Sequence, residues 1–203
     1  MAQSLHCVRL LTALFMLSGS IRSLSMPTSS RQKKVVIHWF RHGDLRLHDN
    51  PALVHTSKLD KSLVLPVFCF DPKIFGTASK TWFGNLKCGP KRAKFLIESV
   101  ADLRQQLQQK LGIQLLVAHG DPEAVVESLL RIFKDTEVDL VLQDEVLKEE
   151  QDTVESISGV LKQHQPRGKM HSIWGSTLYD IKDLPFDEDL RDLPDVFTPF
   201  RNK

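Results

Sequence analysis

VVIHWFRHGDLRLHDNP, residues 35–51, contains the transition that decides the fold. Its first six residues, VVIHWF, form a β-branched and aromatic run, which favours a strand covered on both faces as in a parallel sheet. A polar loop follows, and then Asn50 or Asp49 can cap a helix that begins with Pro51. Strand, loop and helix in this order indicate an α/β protein.

The rest of the chain repeats this alternation. Further strands are predicted at SLVLPVFCF (62–70), QLLVAHG (114–120), DLVLQDE (139–145) and, more weakly, MHSIWG (170–175). Pro66 argues for an irregular or edge position in the second strand. Helical spacing is found in KRAKFLIESVADLRQQLQQKLG (91–112), DPEAVVESLLRIF (121–133) and EEQDTVESISGVLKQH (149–164). The pattern predicts a doubly wound, Rossmann-like five-stranded parallel sheet with helices on both faces. The Pro- and Asp-rich tail after Ser176 shows no clear element.

The composition excludes several classes of protein. A net charge of +2 over 203 residues gives no argument for nucleic-acid binding. Three cysteines without metal spacing indicate neither a disulfide framework nor a zinc site. The most apolar segment, LLTALFML (10–17), is too short to span a bilayer, so no membrane span is expected.

Residues 1–33 differ from the rest, because no acidic residue precedes Asp44 and serines are frequent. With Arg9, Arg22 and Arg31, this composition is typical of organelle transit peptides, for a chloroplast or mitochondrion. LLTALFML behind Arg9, followed by SGS, also fits a secretory signal or a composite plastid-targeting segment. An untargeted extension and translation from Met26 are further alternatives. We predict that residues 1–33 form a targeting or disordered extension that is removed in the cell.

Candidate site residues follow two strands, where ligands of α/β sheets bind. The loop RHGDLRLHDN after the first strand is either structural, with Arg41, Asp44 and Arg46 paired among themselves, or a ligand contact. His42 and His48 fit no common metal pair, and the residues favour solvated loop positions. Two further features have two interpretations each. Asp144 and Glu145 are ligand contacts or helix caps, and Gly120 of VAHGDP (117–122) is an anion site or an ordinary turn.

HWFRHGDLRLHDNPAL (38–53) resembles the opening of the photolyase/cryptochrome family, where the first strand leads into R-x-D-L-R-x-x-D-N. Similar matches occur at VFCFDP (67–72), GPKRAKFLIESVADLR (89–104) and DEV (144–146). WGSTLYDIKDLPF (174–186) followed by LPDVFTPFR (193–201) resembles DASH-type cryptochromes and their plant and algal relatives. This chain has two residues, His42 and Gly43, where the family usually has one between the first Arg and D-L-R.

The resemblance implies that residues 34–175 are the α/β domain of this family and that 176–203 begin the linker to a helical flavin domain, absent here. Such a domain helps to hold an antenna pigment, a folate or a deazaflavin. Glu145 is the foremost expected contact and Asp144 the second, with Phe40 and Arg41 lining the same cleft. FAD belongs to the flavin domain, so it is not expected to bind this chain, and no catalytic residue is assigned.

Function is then expected only together with the flavin domain. The resemblance implies blue-light photoreception or light-driven DNA repair, with DNA contacted through that domain. Two other classes stay open on the residues alone: a stand-alone nucleotide-binding module that uses Gly120, and a protein-interaction module without a ligand.

Overall fold

Five parallel strands form one sheet in the order β3-β2-β1-β4-β5. The structure, a computed structural model, describes residues 34–61, 63–177, 179–187 and 190–202. The strands are β1 Lys34–Phe40, β2 Leu63–Phe70, β3 Leu116–His119, β4 Glu137–Gln143 and β5 Met170–Ile173. The expectation for residues 1–33 lies outside the described residues.

Helices connect the strands. They are α1 Pro51–Lys58, α2 Pro72–Phe75, α3 Pro90–Gln106, α4 Pro122–Ile132, α5 Lys148–His164 and α6 Phe197–Arg201. A π-helical turn, Leu107–Leu111, extends α3, and it ends at Gly112 in the left-handed conformation. Asn50 and Asp121 cap α1 and α4 through their side chains, and proline follows each of them.

Both faces of the sheet are covered, as the continuous apolar runs predict. Val35, Ile37 and Trp39 of β1 belong to a core cluster shared with α4 and α5. On the opposite face, Phe40 packs with Phe68 and with α3, and Val36 packs with Ala52 of α1. The predicted doubly wound parallel sheet is therefore confirmed.

The structure corrects three details of the sequence prediction. Strand β4 ends at Gln143, so Asp144 and Glu145 lie in the following loop. Pro66 lies in β2, which is not an edge strand. Pairing with β3 begins only at Val67, so the proline, which lacks an N–H group, needs no partner on that side. The tail contains a 3-10 turn, Ile181–Asp183, and the short helix α6.

The strand order places the reversal of winding between β1 and β4. From β1 the chain builds outward through β2 to β3, and it then returns to place β4 and β5 on the other side of β1. The helices on the two sides leave a crevice at the carboxyl ends of such a strand pair, which is where doubly wound sheets bind ligands. Phe40 and Gln143 end the two strands there.

Candidate functional site

The loop after β1 is held by bonds between side chains and backbone. Asp44 Oδ1 accepts a hydrogen bond of 2.6 Å from the Arg41 N–H. The Asn50 amide group donates to the carbonyl oxygens of Asp44 and Arg46, at 3.2 and 3.1 Å. Arg46 donates to the carbonyls of Asp49 and Gly43. The expected pairing among Arg41, Asp44 and Arg46 is confirmed only for Arg41 and Asp44, through the Arg41 backbone N–H, because Arg46 bonds to backbone carbonyls instead.

Asp44 is a fully buried carboxyl group in this loop. Burial raises the pKa of Asp44 from 3.8 to about 7, although the hydrogen bond from the Arg41 N–H opposes the rise. The second carboxyl oxygen, Oδ2, is buried and has no hydrogen-bond partner. Asp44 therefore exchanges between a protonated and an ionised form near neutral pH.

Glu145 lies on the β4 side of the crevice and is half-buried. Burial raises the pKa of Glu145, and the like charge of Glu150 raises it further, while Arg41 opposes both. Its Oε1 atom is buried without a hydrogen-bond partner. A hydrogen bond from the Gln143 side chain to this carboxylate also lowers the pKa of Glu145.

Arg41 is the buried cation of the site, with only 6% of its surface exposed. Its Cζ atom lies 5.0 Å from the centre of the Trp39 ring, within the range of a cation–π contact. Burial lowers the pKa of Arg41, whereas Glu145 and Glu150 counteract that effect. The Nη1 donor has no hydrogen-bond partner, although buried guanidinium groups are normally fully bonded.

Asp144 and Gln143 are tied to the segment after β5. The Asp144 N–H donates to the Ile173 carbonyl at 2.8 Å, and the Ser176 hydroxyl donates to the Asp144 carbonyl at 2.6 Å. Asp144 Oδ1 accepts from the Glu145 N–H at 3.0 Å. Gln143 Nε2 donates to Ser176 Oγ at 3.4 Å, while its buried Oε1 has no partner.

Four buried atoms of this site are left without a partner. Among the described residues, five buried side-chain nitrogen or oxygen atoms lack a hydrogen bond, and the fifth is His38 Nε2. The four at the site are Arg41 Nη1, Asp44 Oδ2, Gln143 Oε1 and Glu145 Oε1. Native proteins rarely leave such groups unsatisfied. One donor and three acceptors are therefore buried near the carboxyl ends of β1 and β4.

His42 and Glu150 form a second polar contact at the crevice. His42 Nε2 lies 3.2 Å from Glu150 Oε1, and 26% of the His42 side chain is exposed. The interpretation of His42 as a solvated residue is wrong, whereas His48 is indeed exposed. Burial lowers the pKa of His42, although Glu150 favours the charged form. This pair joins the loop after β1 to helix α5.

The sequence prediction named Glu145, Asp144, Phe40 and Arg41, and the structure places all of them at the carboxyl ends of β1 and β4. Phe40 is fully buried in the core, so it supports the crevice from below. The sequence prediction placed Asp44 in a loop that could contact a ligand without assigning it to the site, and it missed Gln143 and Glu150. The signal for Asp44 was its position in the family's D-L-R motif, and Gln143 is the polar residue that ends an apolar strand.

The turn at Gly120 is arranged differently. Asp121 Oδ1 accepts from the Glu123 N–H at 3.1 Å, which caps α4. Lys73 Nζ pairs with Asp121 Oδ2 at 3.0 Å. An anion at this helix end would therefore meet a carboxylate that already occupies the N–H groups.

The site and fold define a class of protein: a doubly wound α/β domain with a cluster of buried polar side chains where the winding reverses. The family model described as DNA photolyase matches residues 36–203, and the chain belongs to this family. One similar curated protein, from Solanum lycopersicum, is the "Cryptochrome DASH, chloroplastic/mitochondrial". It is 39% identical over 181 residues, which cover 83% of this chain and 30% of that protein.

Solved structures agree with this assignment. A cryptochrome from Synechocystis superposes with a TM-score of 0.72 at 36% identity, covering 86% of this chain and 34% of that one. An archaeal photolyase from Sulfolobus tokodaii, described as containing two FAD molecules, gives a TM-score of 0.51 at 27% identity over 68% of this chain and 29% of that one. The chain thus spans about a third of the length of the relatives it matches.

Proposed function

We propose that this chain is the antenna-type domain of a DASH-like cryptochrome or photolyase and that it holds a pigment, a folate or a deazaflavin, in the crevice between β1 and β4. The observation that carries the proposal is the convergence of four unpartnered buried atoms, three acceptors and one donor, at this crevice. When bound, such a pigment absorbs near-ultraviolet to blue light and transfers the excitation to a flavin.

The acceptors fit the N–H edge of a pterin ring. Glu145 Oε1 can accept from the ring N–H or the amino group, and such charge-assisted bonds are stronger than neutral ones. Arg41 Nη1 can donate to a carbonyl oxygen of the same ring. Asp144 is the second candidate, but one of its carboxyl oxygens already accepts from the Glu145 N–H. We therefore assign the main contact to Glu145.

The chain supplies one side of the proposed pigment cleft. We propose that residues 176–203 begin the linker to a helical flavin domain, which supplies the other side. FAD and DNA then bind through that domain. This proposal follows from the length of the relatives, since the chain spans 30% of the tomato protein and 34% of the Synechocystis protein.

The proposed location is a chloroplast or mitochondrion. The name of the tomato relative includes the words chloroplastic and mitochondrial. Residues 1–33 of this chain contain no acidic residue, which is typical of transit peptides. Among the described residues, no helix is long and apolar enough to cross a membrane. A fluorescent fusion of residues 1–40 that remains cytosolic would contradict the organelle proposal.

Absorbance spectroscopy tests the pigment proposal. The purified chain, and a fusion of it to the remaining part of a DASH relative, are incubated with a reduced folate or a deazaflavin and passed through gel filtration. We expect a near-ultraviolet to blue absorption band that elutes with the protein. A stand-alone nucleotide-binding module would instead retain a nucleotide without such a band. Failure of both proteins to retain either pigment would contradict the proposal.

A further inference from the structure

Four side chains from four elements form a connected row away from the pigment crevice. Lys34 Nζ of β1 pairs with Asp139 Oδ2 of β4 at 2.9 Å. The same oxygen lies 3.4 Å from His171 Nε2 of β5. His171 Nδ1 in turn lies 3.1 Å from His55 Nε2 of α1. The contact between the two histidines joins helix α1 directly to the edge strand β5.

The contacts determine which protons the two rings carry. His171 Nε2 faces a carboxylate oxygen, so this nitrogen carries a proton and donates. In the neutral ring, His171 Nδ1 is then an acceptor, and His55 Nε2 donates to it. A single added proton still leaves one donor and one acceptor between the rings. A second added proton makes both rings positively charged. The two facing nitrogens then both carry protons, so neither can accept a hydrogen bond from the other.

We propose that the His55–His171 pair is a proton-operated clasp between α1 and β5, closed while the pair carries at most one extra proton and opened when both rings are protonated. The geometry that carries this inference is the 3.1 Å contact between ring nitrogens, with ring centres 4.8 Å apart.

Neighbouring groups change the pKa of Asp139 and the pKa of His55. Burial alone would raise the pKa of Asp139, but hydrogen bonds from Lys34 and from the Lys169 N–H lower it, so Asp139 stays ionised beside His171. Burial, together with His171 and Lys58, lowers the pKa of His55. Because the pKa of His55 is lowered, protonation of His55 is the step that requires the lower pH and opens the clasp.

Two other groups face the same elements. Glu137 of β4 also forms an ion pair with Lys34 of β1, at 2.9 Å. His38 of β1 contacts Thr56 of α1 through a 2.8 Å hydrogen bond. Burial lowers the pKa of His38 to about 4, so His38 remains neutral while the clasp titrates.

The clasp joins two elements that lead to the loops of the proposed pigment site. Asn50, the N-cap residue of α1, donates to the Asp44 and Arg46 carbonyls. Strand β5 leads to Ser176, which bonds to the Asp144 carbonyl. Opening the clasp loosens both loops. This consequence for a pigment rests on the proposed function, whereas the clasp itself does not.

Histidine ring titration by NMR on the ligand-free protein tests the clasp. We expect His171 to carry its proton on Nε2 at pH 8 and His55 to titrate below 6.5. In His171→Gln the titration of His55 should return toward its ordinary value. His48→Gln, a change at an exposed histidine, serves as the control. It should leave the NMR titration curves of His55 and His171 unchanged. A His55 that titrates at its ordinary value in the wild type, or that ignores His171→Gln, overturns the clasp.

Amide exchange measures the opening. After correction for intrinsic rates, protection of the β5 amides should fall by up to tenfold per pH unit below pH 6.5, the slope for uptake of one proton. The variant His55→Gln, which keeps a donor to His171, should make this acid dependence less steep, while the contribution of buried His38 remains. An acid dependence in His55→Gln as steep as that of the wild type contradicts the clasp. Since no pigment is present, this failure is separate from any failure of the pigment proposal.

Discussion

Gly43 lies directly against Glu145: a β-carbon at Gly43 would stand 3.3 Å from Glu145 Oε1 and 3.5 Å from Gln143 Nε2. The loop after β1 and the loop after β4 are therefore in close contact at the carboxyl ends of the two strands. Gly43 is also one of the two residues that stand where the family usually has one. At Gly43, backbone rather than a side chain lies next to the Glu145 carboxylate.

The first prediction concerns this close approach. Gly43→Ala should weaken pigment binding, because the added methyl group pushes the Glu145 carboxylate away from its position. We expect a loss of about 1 kcal/mol in the free energy of unfolding, the low end of overpacking costs, since the carboxylate is the end of a flexible side chain. Pigment titration and urea unfolding measure the two effects.

The matched control is Gly159→Ala. Gly159 lies inside α5, and a β-carbon there would meet nothing within 4 Å. Alanine at this position should raise the free energy of unfolding by about 0.5–1 kcal/mol and leave pigment binding unchanged. Equal pigment affinities for Gly43→Ala and Gly159→Ala would show that Gly43 is not part of the site.

The second prediction is a pH dependence caused by Asp44. Its folded pKa is about 7, above the ordinary value of 3.8. Stability should therefore fall as the pH rises from about 4 to 7, because the unfolded chain releases the proton first. Asp44→Asn should remove this fall and stabilise the protein at pH 8, by an upper limit of roughly 4 kcal/mol. Urea unfolding at pH 4 to 8 measures the difference.

Asp49→Asn is the control for this series, because Asp49 is exposed and its φ of 50° suits asparagine as well as aspartate. The free energy of unfolding of Asp49→Asn should change with pH in the same way as that of the wild type. If Asp44→Asn also runs parallel to the wild type, then Asp44 is ionised in the folded protein throughout this range.

The third prediction compares two helix caps. Asn50 accepts from the Leu53 N–H and also donates to two loop carbonyls. Asp121 caps α4 and pairs with Lys73 at the surface. Removal of a cap costs about 0.5–2 kcal/mol. The cost of Asn50→Ala should exceed the cost of Asp121→Ala by about 1 kcal/mol, since Asn50→Ala also removes the donor to the Arg46 carbonyl and one of the two donors to the Asp44 carbonyl. Equal losses in thermal or urea unfolding would contradict the bracing role of Asn50.

The strands and the caps could be predicted because their signals are local. Continuous apolar runs identify strands covered on both faces, and Asn50-Pro51 and Asp121-Pro122 each combine a cap with a first-turn proline. The end of β4 was placed two residues late, because nothing local distinguishes an acidic residue that ends a strand from one that follows it.

The inner part of the site could not be predicted from local patterns. Asp44 lies in a polar loop, and its complete burial arises only because β1 and β4, about a hundred residues apart in the sequence, are neighbours. Glu150 looked like an ordinary acidic residue in the first turn of α5, yet it receives His42 from the other loop. Contacts of this kind depend on the strand order, which the sequence alone leaves open.

The most direct test of the pigment site is the affinity of a reduced folate for Glu145→Ala, measured by fluorescence titration in the fusion with the remaining part of a DASH relative. Glu155→Ala, which removes an exposed carboxylate of α5, is the matched control. Loss of a charge-assisted bond costs about 1.5–3 kcal/mol, so we predict roughly ten- to a hundredfold weaker binding for Glu145→Ala and no change for Glu155→Ala. Circular dichroism melts should stay at the wild-type temperature for both variants. Unchanged folate affinity in Glu145→Ala, with binding intact in the wild type, would contradict the assignment of the site to this crevice.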